Sequence, residues 1–274
     1  MSDNLGYKNK RVVVSGCFSG MGEATARMLI DLGAEVHGLD YKDSTLPLAS
    51  FTRVDLRNPA EIDAVVAKIG GRVDALFNCA GLPNIAPLLD VLKVNFLGLR
   101  KLTEALVPLM PEGSAIASIA STAGGGWHAR MATHMELIGT PDFEAGVAWC
   151  EANKEKIFES YSFSKEALII WTMMRSASLI KKGIRLNCIL PGPTQTPMMP
   201  DFEKAAPKAV IDAACQPIDR YATPAEQAGP MVFLNSALAT YVNGVPLPVD
   251  GGFTGGITTG QIDMSAVSRS MAPA

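Results

Sequence analysis

Histidine is scarce in this chain, with three among 274 residues. His128 and His134 stand six apart and His37 lies far from both, so no metal-ligand spacing emerges and a metal-dependent hydrolase is disfavoured. Cysteine is sparse too: Cys17, Cys79, Cys150, Cys188 and Cys215 are odd in number and form no CxxC pair. Reduced, partly buried thiols are expected rather than a disulfide framework. Charged residues make up 19%, below the ~25% typical of soluble domains. The net charge of -3 gives no reason to expect nucleic acid or an anionic membrane as partner. No stretch approaches the ~18 consecutive apolar residues of a membrane helix. The opening Met1-Ser2-Asp3-Asn4-Leu5-Gly6 lacks the apolar run of a signal peptide, so a cytoplasmic location is expected. With no repeat and no linker in view, residues 1–274 read as one domain.

What the chain does have is alternation. Arg11-Val12-Val13-Val14-Ser15 is a β-branched run. Gly16-Cys17-Phe18-Ser19-Gly20-Met21-Gly22 follows, and then the helical pattern of residues 23–30. Strand, glycine-rich turn and helix in that order let a pyrophosphate approach the helix N-terminus, where free N–H groups and the dipole favour anions. The spacing is GxxxGxG, and a turn that binds nothing stays open on this pattern alone. The second strand, residues 35–40, ends at Asp40, whose carboxylate suits both hydroxyls of an adenosine ribose and repels a 2′-phosphate. Tyr41 follows, where an arginine would suggest NADP, although Lys42 comes next. A further short strand leads to Asp55 and Leu56, beside the expected adenine position. Residues 59–69 read as an amphipathic helix between Pro59 and Gly70. The fourth strand ends in the small-residue turn Asn78-Cys79-Ala80-Gly81, which can pass close to a cofactor. Residues 90–110 read as one long helix with Asn95 in its apolar run. Such an Asn either satisfies itself against the backbone or holds a water near Lys165. The fifth strand ends at Ser121, with Ser118 as a competing hydroxyl inside it. Alternation of this kind predicts an α/β fold: a doubly wound parallel sheet of Rossmann type in three αβα layers.

Tyr161 and Lys165 stand four apart at the start of a stretch without Pro or Gly until Gly183. On one helix they share a face, one turn apart. A phenol is a poor acid or base near neutrality, with a pKa of about 10. An ammonium one turn away is expected to lower it, so that the pair can exchange a proton with a carbonyl or alcohol oxygen. Alone, the pair also fits a solvated helix face.

The ordered set resembles the classical short-chain dehydrogenase/reductase family: the glycine turn, Asp40, Asp55, residues 78–81, Asn95, Ser121, Tyr161, Lys165, Pro191-Gly192 and the closing Val249-Asp250-Gly251-Gly252. The resemblance runs from about Lys10 to Gly252. It implies Tyr161 as general acid/base, Lys165 as its electrostatic partner and ribose ligand, Ser121 as orienter of the substrate oxygen, and Asn95 as holder of a relay water. Ser19, Met21, Cys79, Ala80, Thr194 and Thr196 would line an NAD site with the residues above. Ser15 and Cys79 depart from the family's usual Thr and Asn. The third departure is larger: Ser121 and Tyr161 are 40 apart, a far longer stretch than is usual there. That insertion, residues 122–160, is similar to the bacterial 3α-hydroxysteroid dehydrogenase/carbonyl reductase subgroup.

The resemblance implies NAD(H)-linked interconversion of a secondary alcohol and a ketone on an apolar steroid-like, cyclic or aromatic substrate. Alternatives are a reductase of cyclic imines on the same site and a non-catalytic NAD-binding regulator. A sugar epimerase of the extended branch shares Tyr-x-x-x-Lys but needs another glycine spacing and a larger C-terminal region. The insertion carries Trp127, Met131 and Met135, expected either to form one wall of the substrate pocket along residues 127–137 or only to cap the core or form a subunit contact. Residues 141–159 are expected to pack as a helix beside the Tyr161 helix, favouring a homodimer over a homotetramer. The tail, residues 253–274, reads as a flap or as disordered.

Overall fold

The computed structural model describes residues 4–262. Its first unit follows from Val12, Val13 and Val14, which are fully buried in strand β1 (Arg11–Ser15). After the glycine turn, α1 (Gly20–Asp31) lays Ala26 and Leu29 against the sheet. β2 (Glu35–Asp40) and β3 (Ser50–Arg53) come next, then α2 (Pro59–Ile69). Asn58 caps α2 by accepting a hydrogen bond from the Ala60 N–H at 3.1 Å, and Pro59 fills the first turn. β4 (Ala75–Asn78) completes the first half.

The predicted single helix over residues 90–110 is broken in the structure. It consists of α3 (Leu88–Leu92), a π-helical turn (Lys93–Gly98), α4 (Leu99–Leu106) and a short 3₁₀ turn (Val107–Leu109). The extra residue of the π turn falls around Asn95, whose amide is drawn out to the Leu82 backbone. Turns of this kind are rare and concentrate at functional sites.

β5 (Ala115–Ile119) leads through two 3₁₀ turns into α5 (Met131–Ile138) and α6 (Phe143–Ala152). The 20-residue helix α7 (Ser160–Leu179) follows. β6 (Arg185–Pro191) is buried throughout. Then come α8 (Met199–Ala205), α9 (Lys208–Ala214) and α10 (Pro224–Asn235), the last closed by a capping box between Thr223 and Glu226. β7 (Pro246–Val249) carries Pro246 and Pro248, and α11 (Phe253–Thr258) ends the described fold. The predicted tail begins as this helix, and its remainder from residue 263 lies outside the described residues.

The seven strands are all parallel in the order β3-β2-β1-β4-β5-β6-β7, the doubly wound arrangement the alternation predicts. Two apolar layers sandwich the sheet. One joins α2, α4 and α7 through Ile62, Phe96, Leu102 and Leu168; the other joins α1 and α10 through Leu29, Phe77, Met231 and Leu234. The order reverses between β1 and β4, which opens a crevice at their carboxyl ends.

Candidate active site

The floor of that crevice is the glycine turn. Gly16 has φ +74, and a Cβ there would come 2.5 Å from the Ala80 nitrogen, so the turns after β1 and β4 touch backbone to backbone. A Cβ on Gly22 would overlap the Gly16 carbonyl oxygen, which lets α1 start directly against the strand. Ser19 caps α1 with no side-chain bond to its backbone. Met21 packs at the edge of the α1–α10 layer. Thr196 lies over Gly20: a Cβ on Gly20 would be 3.2 Å from its Cγ2. A backbone cradle free of side chains at a helix N-terminus suits a pyrophosphate.

Asp40 is 8% exposed and faces this turn. Its carboxylate accepts from the Phe18 N–H and the Lys42 N–H, both at 3.0 Å. Tyr41 is 55% exposed, and the Lys42 ammonium stands 5.3 Å from the Phe18 ring and 5.2 Å from the Tyr41 ring. Asp55 is held by Arg57, which also bridges to Asp90 at 2.8 Å. That pairing keeps the Asp55 carboxyl below its ordinary pKa against the opposing effect of burial. Leu56 is buried beside the π turn. Asn78 turns into the core instead of the crevice, donating to Thr103 Oγ1 at 3.0 Å and Ser118 Oγ at 3.2 Å. Ser118 is therefore occupied within the sheet and is not the free hydroxyl. Burial pushes the Cys79 thiol up to about 12. All five cysteines are free.

On the far side, Ser121 stands two residues past β5 and accepts from the Ala123 N–H at 3.1 Å, which leaves its own proton to donate. Glu159 caps α7, its two carboxylate oxygens accepting from the Tyr161 and Ser162 N–H groups at 2.8 and 2.7 Å. That cap places Tyr161 in the first turn of α7. Lys165, one turn on, donates to the Ile119 carbonyl at 2.8 Å and stands 5.4 Å from the Tyr161 ring centroid. Asn95 exchanges bonds with the Leu82 backbone at 2.7 and 3.0 Å and donates to Ser164 Oγ at 3.3 Å. Gly81 keeps open the gap between them: a Cβ there would be 3.4 Å from Asn95 Oδ1 and 3.9 Å from Lys165 Nζ. Of the two readings of Asn95, the structure shows the backbone one, its amide being satisfied by Leu82.

The expected lowering of the Tyr161 phenol is not seen. Burial pushes its pKa up to about 12, the Ser121 hydroxyl draws it down as hydrogen-bond partner, and the Glu159 charge adds to the rise. Burial likewise lowers Lys165 to about 8. Desolvation of two buried groups outweighs the mutual field that the spacing suggested.

Pro191 and Gly192 carry the chain out of β6, and Thr194 is buried with its hydroxyl donating to the Gly192 carbonyl at 2.9 Å. Beyond them lies a residue that sequence reasoning missed. Phe202 of α8 meets the Tyr161 ring edge to face at 4.9 Å. Its signal was the apolar set Met198, Met199 and Phe202 directly after the Pro191–Pro197 turn, in a stretch that has no long helical period.

The insertion sits elsewhere than expected. It is α5, not residues 141–159, that lies along α7, while α6 rests on the π turn and α5. Trp149 reaches Phe163 at 6.3 Å, and His134 lies 4.3 Å from the same ring. Phe163 is two residues from Tyr161 and so faces away from it on the helix. Trp127 stacks on His128 at 3.4 Å and packs against the core; Met131 is half-buried and Met135 is 41% exposed.

Comparison with known proteins agrees with this geometry. A family profile described as short chain dehydrogenase matches residues 10–133, and one described as Enoyl-(Acyl carrier protein) reductase matches residues 151–254. A coniferyl-alcohol dehydrogenase of Pseudomonas sp. is 36% identical, over 89% of this chain and 96% of its own. A 3-alpha-hydroxysteroid dehydrogenase/carbonyl reductase of Comamonas testosteroni is 32% identical, over 88% and 95%. The crystal structure of the 3-alpha-hydroxysteroid dehydrogenase from Pseudomonas sp. B-0831 with NADH superposes at a TM-score of 0.75, with 24% identity, covering 96% of this chain and all of that one. A Burkholderia cenocepacia short chain dehydrogenase with NADP gives 0.68 at 25% identity, covering 90% and 99%. This chain belongs to the short-chain dehydrogenase/reductase family and is an oxidoreductase acting on CH–OH groups with a nicotinamide dinucleotide.

Proposed function

We propose that the protein is an NAD(H)-dependent dehydrogenase that interconverts an alcohol and a carbonyl on an apolar, aromatic or cyclic substrate. The observation that carries this reading is the convergence of Ser121, Tyr161 and Lys165 beside the Gly81 turn, with Phe202 on the Tyr161 ring. The bound nicotinamide supplies or accepts the hydride. Tyr161 gives a proton to the carbonyl oxygen in reduction and takes one from the alcohol in oxidation. Ser121 donates its free O–H to that oxygen and fixes its direction. Lys165, anchored on Ile119, holds the ribose and raises the positive potential at the phenol. Asn95, bonded to Ser164 of α7, would hold a relay water near Lys165. Asp40 favours NAD because a 2′-phosphate would meet its carboxylate. The apolar Phe202, and the names of the coniferyl-alcohol and hydroxysteroid relatives, support a ring-bearing substrate. The insertion covers the α7 face around Phe163 and Glu166, which supports a homodimer over a tetramer. The free thiols suit a reducing, cytoplasmic setting.

The test is a panel of ring-bearing alcohols and ketones, coniferyl alcohol and a 3α-hydroxysteroid included, run with NAD+ and NADP+. Faster NAD+ reduction with a ring-bearing alcohol is expected, and equal kcat/KM for the two cofactors overturns the NAD assignment. Tyr161→Phe keeps the ring and its packing but removes the proton, so kcat should fall by ~10²- to 10⁴-fold with NADH binding unchanged. Near-parental kcat in that variant removes Tyr161 from its role.

A further inference from the structure

Directly after Lys165, on a different face of α7, stands a carboxylate with no exposed surface. Glu166 is 0% exposed and accepts from Arg130 Nε at 2.9 Å, from Arg130 Nη2, and from His134 Nε2 at 2.6 Å. Burial alone would raise its pKa; His134 and Arg130 overcome that and leave it below the ordinary glutamate range. His134 is itself fully buried, and its Nδ1 has no partner, so a ring carrying its proton on Nε2 and donating to Glu166 is the tautomer the contacts select. Arg130 stacks over the Phe158 ring at 4.1 Å.

The cluster is tied to the site by the chain itself. Arg130 is nine residues beyond Ser121, and between them runs Gly124-Gly125-Gly126. A Cβ on Gly124 would come 3.0 Å from the Lys165 carbonyl carbon and 3.1 Å from the Glu166 nitrogen. One on Gly126 would come 3.0 Å from Glu166 Oε1. The turn that begins at Ser121 therefore lies directly on the α7 backbone at Lys165 and Glu166, and Glu166 grips its far end. The near end is held by Thr122, whose hydroxyl donates to the Pro191 carbonyl at 3.2 Å.

We propose that Glu166 is a positioning residue: by binding Arg130 and His134 it clamps the turn after β5 onto α7 and so sets the placement of the Ser121 hydroxyl against the Tyr161 phenol. This rests on the reading of Tyr161 and Ser121 given above. The groups facing the phenol are Ser121 from the turn after β5, Glu159 from the cap of α7, Lys165 from α7, and the uncharged Phe202 from α8. Those facing Glu166 are Arg130 and His134. Ser121 holds the phenol down, so a loosened clamp raises the Tyr161 pKa and weakens the orientation of the substrate oxygen. A misplacement of about 1 Å is enough to cost ~10²-fold in rate.

The test uses Glu166→Gln, which keeps the shape and removes the charge, and Arg130→Gln and Arg130→Lys at the partly exposed end, where folding is safest. Tyrosinate is titrated by ultraviolet difference against the matching Tyr161→Phe background, which needs no substrate. Turnover is followed with the panel alcohol that reduces NAD+ fastest. Expected are an upward shift of the Tyr161 titration, a kcat loss of ~10- to 100-fold for Glu166→Gln with NADH affinity unchanged, and partial recovery in Arg130→Lys relative to Arg130→Gln. An unshifted Tyr161 titration in folded variants, even with a lower Tm, overturns the proposal and leaves the cluster as a stabilising contact only. If parental Tyr161→Phe keeps its turnover while the titration still shifts, the clamp stands and the catalytic reading of Tyr161 falls instead.

Discussion

Two segments flank Tyr161 and are held in opposite ways. The insertion, residues 122–160, is fastened to the body by buried polar groups. Arg100 of α4 donates to the Ile138 carbonyl at 3.2 Å, Thr140 Oγ1 at 3.2 Å and the Asp142 carbonyl at 2.9 Å, while Glu166 of α7 binds Arg130 and His134. Its own Leu137 and Cys150 are fully buried in the core. The segment of α8 and α9, residues 193–223, differs. Among the described residues, the hydrogen bonds and ion pairs of these two helices stay local: Tyr221 to Glu203 at 2.9 Å and Lys208 to Asp212 at 2.6 Å are examples. Arg220 pairs with Glu226 of α10, and helices α8 and α9 reach the rest through apolar contacts, Phe202 on Tyr161 foremost. Length between Ser121 and Tyr161 suggested that the insertion would form a wall of the substrate pocket. Burial and bonding leave the shorter segment the less firmly held of the two, and under the proposed function it is the part expected to meet substrate, because regions that move have few buried contacts of their own.

The comparison breaks most sharply at Phe202. Phe202→Ala should lower kcat/KM for ring-bearing alcohols by ~10- to 100-fold, with NADH affinity and Tm near parental, since one apolar contact with substrate is worth that much. An unchanged substrate ranking would place the pocket elsewhere. A smaller effect, of the opposite kind, is expected at Arg100. Arg100→Met strands three acceptors and should cost ~1–3 kcal/mol in denaturant unfolding, with the ranking of substrates intact. The smallest effect belongs to Met135, 41% exposed on α5. Met135→Ala should change stability by no more than ~0.5 kcal/mol and leave the ranking alone. If it, or Trp127→Ala or Met131→Ala, reorders the panel, the insertion is a pocket wall after all and the contrast collapses.

Much of the fold was legible because it depends on local signals. The valine run, the glycine turn, Pro59 with Gly70, and Asp40 at a strand end each announce an element through propensity or backbone need. Tyr161, Lys165 and Ser121 were legible as an ordered set. Four things were not. The π turn at Asn95 depends on a tertiary bond to the Leu82 backbone, which no local pattern encodes. The phenol's raised pKa depends on burial, which spacing along a helix does not report. Phe202 and the Glu166 cluster depend on which distant side chains meet. A glutamate inside a helix reads as a surface residue until its partners, 36 and 32 positions away, are known.

The two prolines of β7 have a consequence for the molecule's life among other proteins. The Val245 and Val249 carbonyls point toward β6, accepting from the Cys188 and Gly192 N–H groups at 3.0 and 3.2 Å. Pleating then turns positions 246 and 248 outward, along the sheet's open margin, where both residues lack an N–H. A stray strand from another chain meets a margin with no donors to offer at those two points. The sheet ends at β7 by chemistry as well as by sequence, and the protein carries its own guard against edge-to-edge aggregation.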